Sequence, residues 1–292
     1  MDFDLSKLVF IIFLFTQSCS KEPVNLEENF IEVEGVFYKK DMKEPYSGPI
    51  FSLHNSNKVI EEGELFKGKK QGAFKEWYEN GNKKKEGNYN EGLLSGKWTF
   101  WDENGIIYLE ESYKDGKKNG LYTVYQDGKK KRQGNYSDKK NDGPFIEWHQ
   151  NGSKKQQGNF IKGSKNGKWI YWNNDGVKYL EENYKDGKKN GLFSEWYNNN
   201  QKSTEQMWIN DKKDGLFTEW YENGKKKREG FLGEFNYKLG KWIYWNGDGK
   251  KYLEENYING KKEGFTIEWF PNGNKSKQTS WKNDKKDGLF TA

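Results

Sequence analysis

Cysteine is nearly missing from this chain: there is one, Cys19, in 292 residues, beside 2 histidines, 3 methionines and 5 prolines. A lone cysteine excludes a disulfide framework and any cysteine-clustered metal site. Two histidines far apart in sequence, His54 and His149, offer no paired imidazole chemistry. Apolar residues are scarce as well. Only 32% of the chain is hydrophobic and the mean hydropathy is −1.21, against roughly 45–50% apolar for an average globular chain when glycine is counted. A thick core is therefore excluded. The one long apolar run, Leu8–Phe15, is far shorter than the about 20 residues a membrane-crossing helix needs. Such polarity usually means disorder, but 17% of the residues are aromatic, with 13 Trp and 18 Tyr. Disordered chains are poor in these rings. Many large rings at regular intervals in a polar chain point to a thin, extended fold.

The first residues carry an address. Leu8–Phe15 fits the apolar region of a signal peptide, followed by Thr16-Gln17-Ser18 and Cys19. On the residues alone, this fits an ordinary cleaved signal with an incidental thiol at Cys19. The segment also resembles a bacterial lipoprotein signal. That resemblance implies a signal peptide over residues 1–18, lipidation of Cys19, a lipid-anchored linker over 19–33, and a place in the bacterial cell envelope facing periplasm or exterior. One acyl-bearing anchor is then expected, not a membrane-spanning helix. Without residues 1–18 the chain has 49 basic and 42 acidic side chains, a mild net +7 that suits anionic partners without requiring them.

The rest is periodic. Gly48, Gly72, Gly96, Gly120, Gly143, Gly167, Gly191, Gly215, Gly240, Gly264 and Gly288 follow one another at steps of 23 to 25 residues. Within a unit, aromatic-rich segments flank a turn: Gly96-Lys97-Trp98-Thr99-Phe100-Trp101, then Asn104-Gly105, then Tyr108–Tyr113, then Asp115-Gly116. Asn-Gly between such segments is a strong hairpin signal and predicts a type I′ turn, with positive φ at both central residues. It recurs at Asn80, Asn151, Asn223 and Asn272, with Asp-Gly at Asp127, Asp175 and Asp248. Rings hold fixed slots: two places after the leading glycine (Phe74, Trp98, Tyr122, Phe145, Trp169), five places after it (Trp77, Trp101, Tyr125, Trp148, Trp172), and on the return strand (Tyr89, Tyr113, Tyr136, Phe160, Tyr184). One hairpin cannot bury three rings. Stacked hairpins can, each ring lying against its equivalents.

This pattern of glycine, aromatic pair, Asn-Gly, lysine-rich return strand and closing Tyr-x-Asp-Gly resembles the MORN repeat in its bacterial variant, a family in which some members carry an antitoxin-type label. It extends over residues 34–292, with Tyr38–Gly48 resembling the opening segment of those proteins. The resemblance implies an all-β, elongated, single-layer antiparallel meander of about ten hairpins of about 24 residues, used for binding proteins or membranes. Asn198-Asn199-Asn200 replaces Asn-Gly in one unit and Thr266 replaces a ring in another, so looser hairpins are expected there. A longer period overlies the first. Units at Gly96, Gly167 and Gly240 share Gly-Lys-Trp and Tyr-Leu-Glu-Glu, so the duplicated module is a triplet of hairpins. The last unit is truncated at Ala292, which exposes a strand edge open to self-association or to completion by another chain.

Nothing in the pattern reads as catalysis. His54 and His149 look like surface substitutions, the carboxylates are dispersed, and every glycine serves a turn or a unit head, so no catalytic residue, metal site or cofactor is expected. The Glu that precedes Trp (Glu76, Glu147, Glu195, Glu219, Glu268) reads as a cross-strand partner for lysine. The basic runs Lys83-Lys84-Lys85, Lys129-Lys130-Lys131-Arg132 and Lys225-Lys226-Lys227-Arg228 share one slot. Stacking should gather them on one rim, either as a solvated edge or as a contact for an anionic surface. The expected function is a non-catalytic, envelope-anchored scaffold that binds a protein or an anionic membrane surface. The alternative is an immunity or antitoxin-like protein that neutralises one toxin. Nucleic acid is not an expected partner of an exported lipoprotein.

Overall fold

The computed structural model describes residues 21–288; Cys19 and its signal, and the last four residues, lie outside it. β4 (Gly48–Leu53), β5 (Val59–Phe66), β6 (Lys69–Trp77), β7 (Lys83–Asn90), β8 (Leu93–Trp101) and β9 (Ile107–Lys114) pair antiparallel, each with its neighbours in sequence. The same meander continues through β10 (Lys117–Gln126), β11 (Lys129–Ser137), β12 (Lys140–Asn141) and β13 (Gly143–Trp148) to the strands at Lys275–Lys282 and Lys285–Lys286. The result is one open sheet of 25 strands. The expected all-β meander is what forms.

The turns differ from the expectation in kind. At the Asn80-Gly81 tip, Tyr78 N–H donates to the Asn82 carbonyl at 2.8 Å and Gly81 N–H to the Tyr78 carbonyl at 2.9 Å. Only Gly81, at φ +88°, is left-handed. This is a type I turn closed by a glycine bulge, not the type I′ turn expected, because the loop has three residues and only the third needs positive φ. The Asn80 side chain serves otherwise: its Oδ1 accepts from Asn82 N–H and its Nδ2 donates to the Glu103 carbonyl of the next tip at 2.7 Å. Type I′ geometry appears at the opposite edge, as at Asp115-Gly116 (φ +49° and +73°). It also appears at Asp127-Gly128, where the two-residue turn accounts for the single 23-residue step. Asn200 is not a loose substitute for glycine. It takes φ +64°, and its N–H bonds the Tyr197 carbonyl at 3.0 Å, as at the other tips. Thr266 is likewise buried and pairs with buried Thr279.

Residues expected as linker are ordered from Val24 onward. β1 (Val24–Asn25) lies parallel to β4, helix α1 (Leu26–Asn29) follows, and β2 (Phe30–Val33) pairs with β3 (Val36–Lys39) as a separate hairpin. Phe30 and Tyr46 meet edge to face at 5.0 Å between centroids and pack with Ile50 and Leu65, which covers the first edge of the array.

The buried spine lies along one face. Side chains alternate across a strand, so Phe74, Trp98, Tyr122, Phe145, Trp169 and Trp242 share a side. All are buried, with Trp169 fully so. Trp98 can lie flat on the sheet because Gly87 faces it; a Cβ there would stand 2.2 Å from the indole. Gly158 under Trp169 and Gly230 under Trp242 repeat the arrangement at 2.3 Å. Each tryptophan also donates its indole N–H to a backbone carbonyl, Trp98 to Asn88 at 3.0 Å and Trp169 to Asn159 at 3.2 Å.

Candidate binding surface

A single sheet has no second layer to cover its rings, and lysine does that here. Lys165 Nζ sits 4.3 Å from the Trp169 centroid and 5.0 Å from that of Tyr184, and Lys238 repeats this over Trp242 and Tyr257 at 5.0 and 4.7 Å. The lysine stem spreads over the ring while the ammonium reaches water, which removes aromatic surface from solvent without a second layer. A second row runs along the hairpin tips. The lysine that opens one return strand lies over the tip tryptophan of the next unit, as in Lys178 over Trp196 at 3.5 Å and Lys251 over Trp269 at 3.7 Å.

Three buried carboxylates recur at the triplet period. Glu111, Glu182 and Glu255 are each buried. Each accepts from a tyrosine hydroxyl (Tyr113, Tyr184, Tyr257 at 2.7, 2.6 and 2.7 Å) and pairs with a lysine (Lys118, Lys189, Lys262, each at 2.6 Å). Burial alone would raise Glu182 and Glu255, but bonds from Lys189 and Tyr184, and from Lys262 and Tyr257, hold both below the usual carboxylate range. Their tyrosines move up, through burial and through donation to the carboxylate. The first module differs by two coupled changes. Lys165 and Lys238 donate to Tyr171 and Tyr244 hydroxyls at 2.7 and 2.6 Å. Leu94 and Phe100 stand in those two slots and pack on the core instead.

The predicted basic runs fall at one edge, but they are not equivalent. Lys84 and Lys85 both pair with Glu76 at 2.7 Å, and Lys83 pairs with Glu86 at 2.7 Å. Lys227 and Arg228 pair with Glu219 at 2.8 and 2.5 Å, Lys226 with Glu229 at 2.5 Å, while the Lys225 ammonium donates to the Asp248 carbonyl at 2.9 Å. Glu76 and Glu219 stay below the usual carboxylate range because these bonds outweigh burial. Lys129, Lys130, Lys131 and Arg132 are exposed, and their side chains form no hydrogen bond or close ion pair among the described residues, although Arg132 stands opposite Glu147 and helps hold its carboxyl below the usual range. Val124 occupies the slot of Glu76 and Glu219, opposite Arg132, and Gln133 that of Glu86 and Glu229. Aligning the triplets would have revealed both exchanges, whereas reading the lysines alone does not.

The histidines are also more than surface substitutions. His54 and His149 Nε2 meet the carbonyls of Trp77 and Trp172 at 3.3 and 2.9 Å, the bond that Tyr78 and Tyr221 hydroxyls make to Trp101 and Trp245. The opposite face of the sheet exposes Leu121, Leu192, Leu216 and Phe265 in one repeated slot. In the intervening units that slot carries Lys97, Lys168 and Lys241, paired with Glu110, Glu181 and Glu254 at 2.6, 2.6 and 2.7 Å. Among the described residues, no three His, Cys, Asp or Glu side chains assemble into a metal-binding group, and no helix is long and apolar enough to cross a membrane.

With these slots established, the stretches 70–91, 94–115, 141–162 and 213–232 match the family model described as MORN repeat variant. These four hairpins are MORN-type units. The other hairpins keep the leading glycine and most of the ring positions, with Asn200 and Thr266 as exchanges. No curated protein matches the chain in sequence. Similar solved structures include the crystal structure of TcdB2-TccC3-Cdc42, at 10% identity, 85% coverage of this chain, 17% of that chain and a TM-score of 0.20. Another is the Tc holotoxin pore of Photorhabdus luminescens, at 11% identity, 81% and 15% coverage and a TM-score of 0.19. The chain spans about a sixth of their length.

Proposed function

We propose that this protein is a non-catalytic scaffold, anchored in the cell envelope through lipidated Cys19, whose long sheet binds a protein or membrane surface. One observation carries the reading: the two faces and the tip edge present related exposed side chains in recurring slots along the array. On one face these are the lysines laid over rings, and on the other the leucine and lysine row. Repetition of modest contacts along a rigid strip is how repeat arrays gain affinity from an extended surface. Aromatic anchors would supply most of that affinity and lysines the association rate. Two measurements separate the parts of this proposal. Cys19→Ala should move the protein from the detergent phase to the aqueous phase, and unchanged partitioning removes the anchor. Photo-crosslinkers at Leu121, Leu192 and Leu216 in native cells should trap one protein or lipid repeatedly; three unrelated products would remove the scaffold.

A further inference from the structure

We infer that the groove beside Lys129–Arg132 is the array's specific anion site and that it takes an acidic peptide segment of a partner protein. This rests on the scaffold reading and narrows it to one unit. The groove, of about 190 Å³, is lined by Lys129, Lys130, Lys131, Trp148, His149 and Lys155 among others. In the sister units the corresponding lysines are occupied: Lys83 is held by Glu86 and lies over Trp101, and Lys226 is held by Glu229 and lies over Trp245. Here Val124 and Gln133 remove both carboxylates, and Gln133 instead donates to Thr123 Oγ1 at 3.2 Å. Trp148, like Trp77 but unlike Trp101, Trp172, Trp196, Trp220, Trp245 and Trp269, has no cation over its ring among the described residues. The one carboxylate in the groove, Glu147, is already engaged by Lys155 at 3.0 Å and by Gln156.

Lys129, Lys130 and Lys131, whose side chains have no hydrogen bond or ion pair among the described residues, thus meet an open indole in one groove, while Lys83–Lys85 and Lys226–Arg228 are paired with carboxylates. A membrane would engage the lysine row along the whole tip edge, whereas this groove gathers Lys129, Lys130 and Lys131 beside Trp148 within one hairpin and its neighbour. The groove instead accommodates one or two carboxylate side chains beside an apolar one, which is the chemistry of a short acidic peptide. His149 gives its Nε2 to the Trp172 carbonyl, which leaves the lysines and the indole as the reading groups.

The test uses the full chain and a fluorescent peptide of alternating Glu and Leu, with a Gln-for-Glu peptide as control, at low ionic strength. Only the acidic peptide should bind. Changing Lys129, Lys130 and Lys131 to Gln should weaken it by roughly tenfold or more, while the same change at Lys225, Lys226 and Lys227, equal in charge, should leave it within about twofold. Val124→Glu with Gln133→Glu keeps every lysine yet should abolish binding by recreating the sister ion pairs. Equal losses from both lysine triples would overturn the site. So would binding that survives Val124→Glu/Gln133→Glu, or capture of anionic vesicles but not of the peptide. None of these failures touches the crosslinking along the leucine row, so the scaffold reading is judged separately.

Discussion

At the residue scale, the fold depends on rings that are buried without a second layer. Gly158→Ala would drive a methyl group into the Trp169 indole and should cost about 2–3 kcal/mol. Trp169→Ala should cost about 3–5 kcal/mol; both are read by chemical denaturation. The Lys165–Tyr171 pair allows a sharper experiment, because Leu94 and Phe100 already provide the apolar solution in the first module. Tyr171→Phe alone leaves a half-buried ammonium without its acceptor and should cost about 1–2 kcal/mol. The double change to Leu and Phe should recover most of that loss, and strict additivity in the cycle would exclude the coupling. The ring slots were legible in the sequence because their period is regular. The buried glutamates were not, since a Glu-Glu pair in a strand gives no sign of which member faces in until register is known. Acid should report them. Glu182 and Glu255 are lowered, so the unfolded chain takes up protons first as pH falls. Their stabilisation is complete above about pH 4.3 and disappears as pH drops through the folded values. Melting temperature should decline over that range, and Glu182→Gln should flatten the decline.

At the scale of the element, the hairpin could be read from Asn-Gly but its turn type could not. The dipeptide signals two left-handed residues only when the loop has two, and loop length is fixed by where pairing resumes. Here pairing resumes with an extra residue on the return strand, opposite Glu76 and Trp77. Asparagine is then retained for the bond to the neighbouring tip. Asn200 tests this separation of roles. Like Asn57 and Asn236, it holds the left-handed position with both main-chain turn bonds, and here the preceding Asn199 also bonds the neighbouring tip. Asn200→Gly should therefore be neutral or stabilise by a few tenths of a kcal/mol, whereas Asn200→Ala should destabilise by about 1 kcal/mol. Asn199→Ala removes the donor to the Glu222 carbonyl, 2.8 Å away, and should loosen two adjacent tips, seen as faster amide exchange at both.

At the scale of the whole molecule, sequence neighbours are also spatial neighbours. Pairing runs in chain order from β4 onward, and the parallel β1 contact is the one departure. The repeat period therefore conveyed the topology completely. What it could not convey was inequality among units, which arises from single exchanges such as Val124 and Gln133 against an otherwise constant frame. A chain built this way should tolerate loss of a module. Removing residues 143–214 joins Asp142 to Gly215, a junction with the same Asp-Gly frame as Asp142-Gly143 and Asp214-Gly215. Six outgoing and return strands leave together, and the first module's Tyr122 and Tyr136 come to face Phe217 and its neighbours, rings of the same slots. Stability in such arrays is the sum of units and nearest-neighbour interfaces, so the shortened chain should remain cooperative, with a lower denaturant midpoint and a smaller slope. Its longest dimension in solution scattering should shrink by about 30 Å, six strand spacings of about 4.8 Å. A deletion shorter by one unit, residues 143–190, removes only two hairpins and joins the Gly120 hairpin directly to its triplet equivalent at Gly191, a neighbour relation absent from the native array. It should be less stable per remaining hairpin than the triplet deletion. If the two deletions are equally stable per hairpin, the triplet is only a duplication scar; if the two-unit deletion is weaker, the triplet is the physical unit of packing.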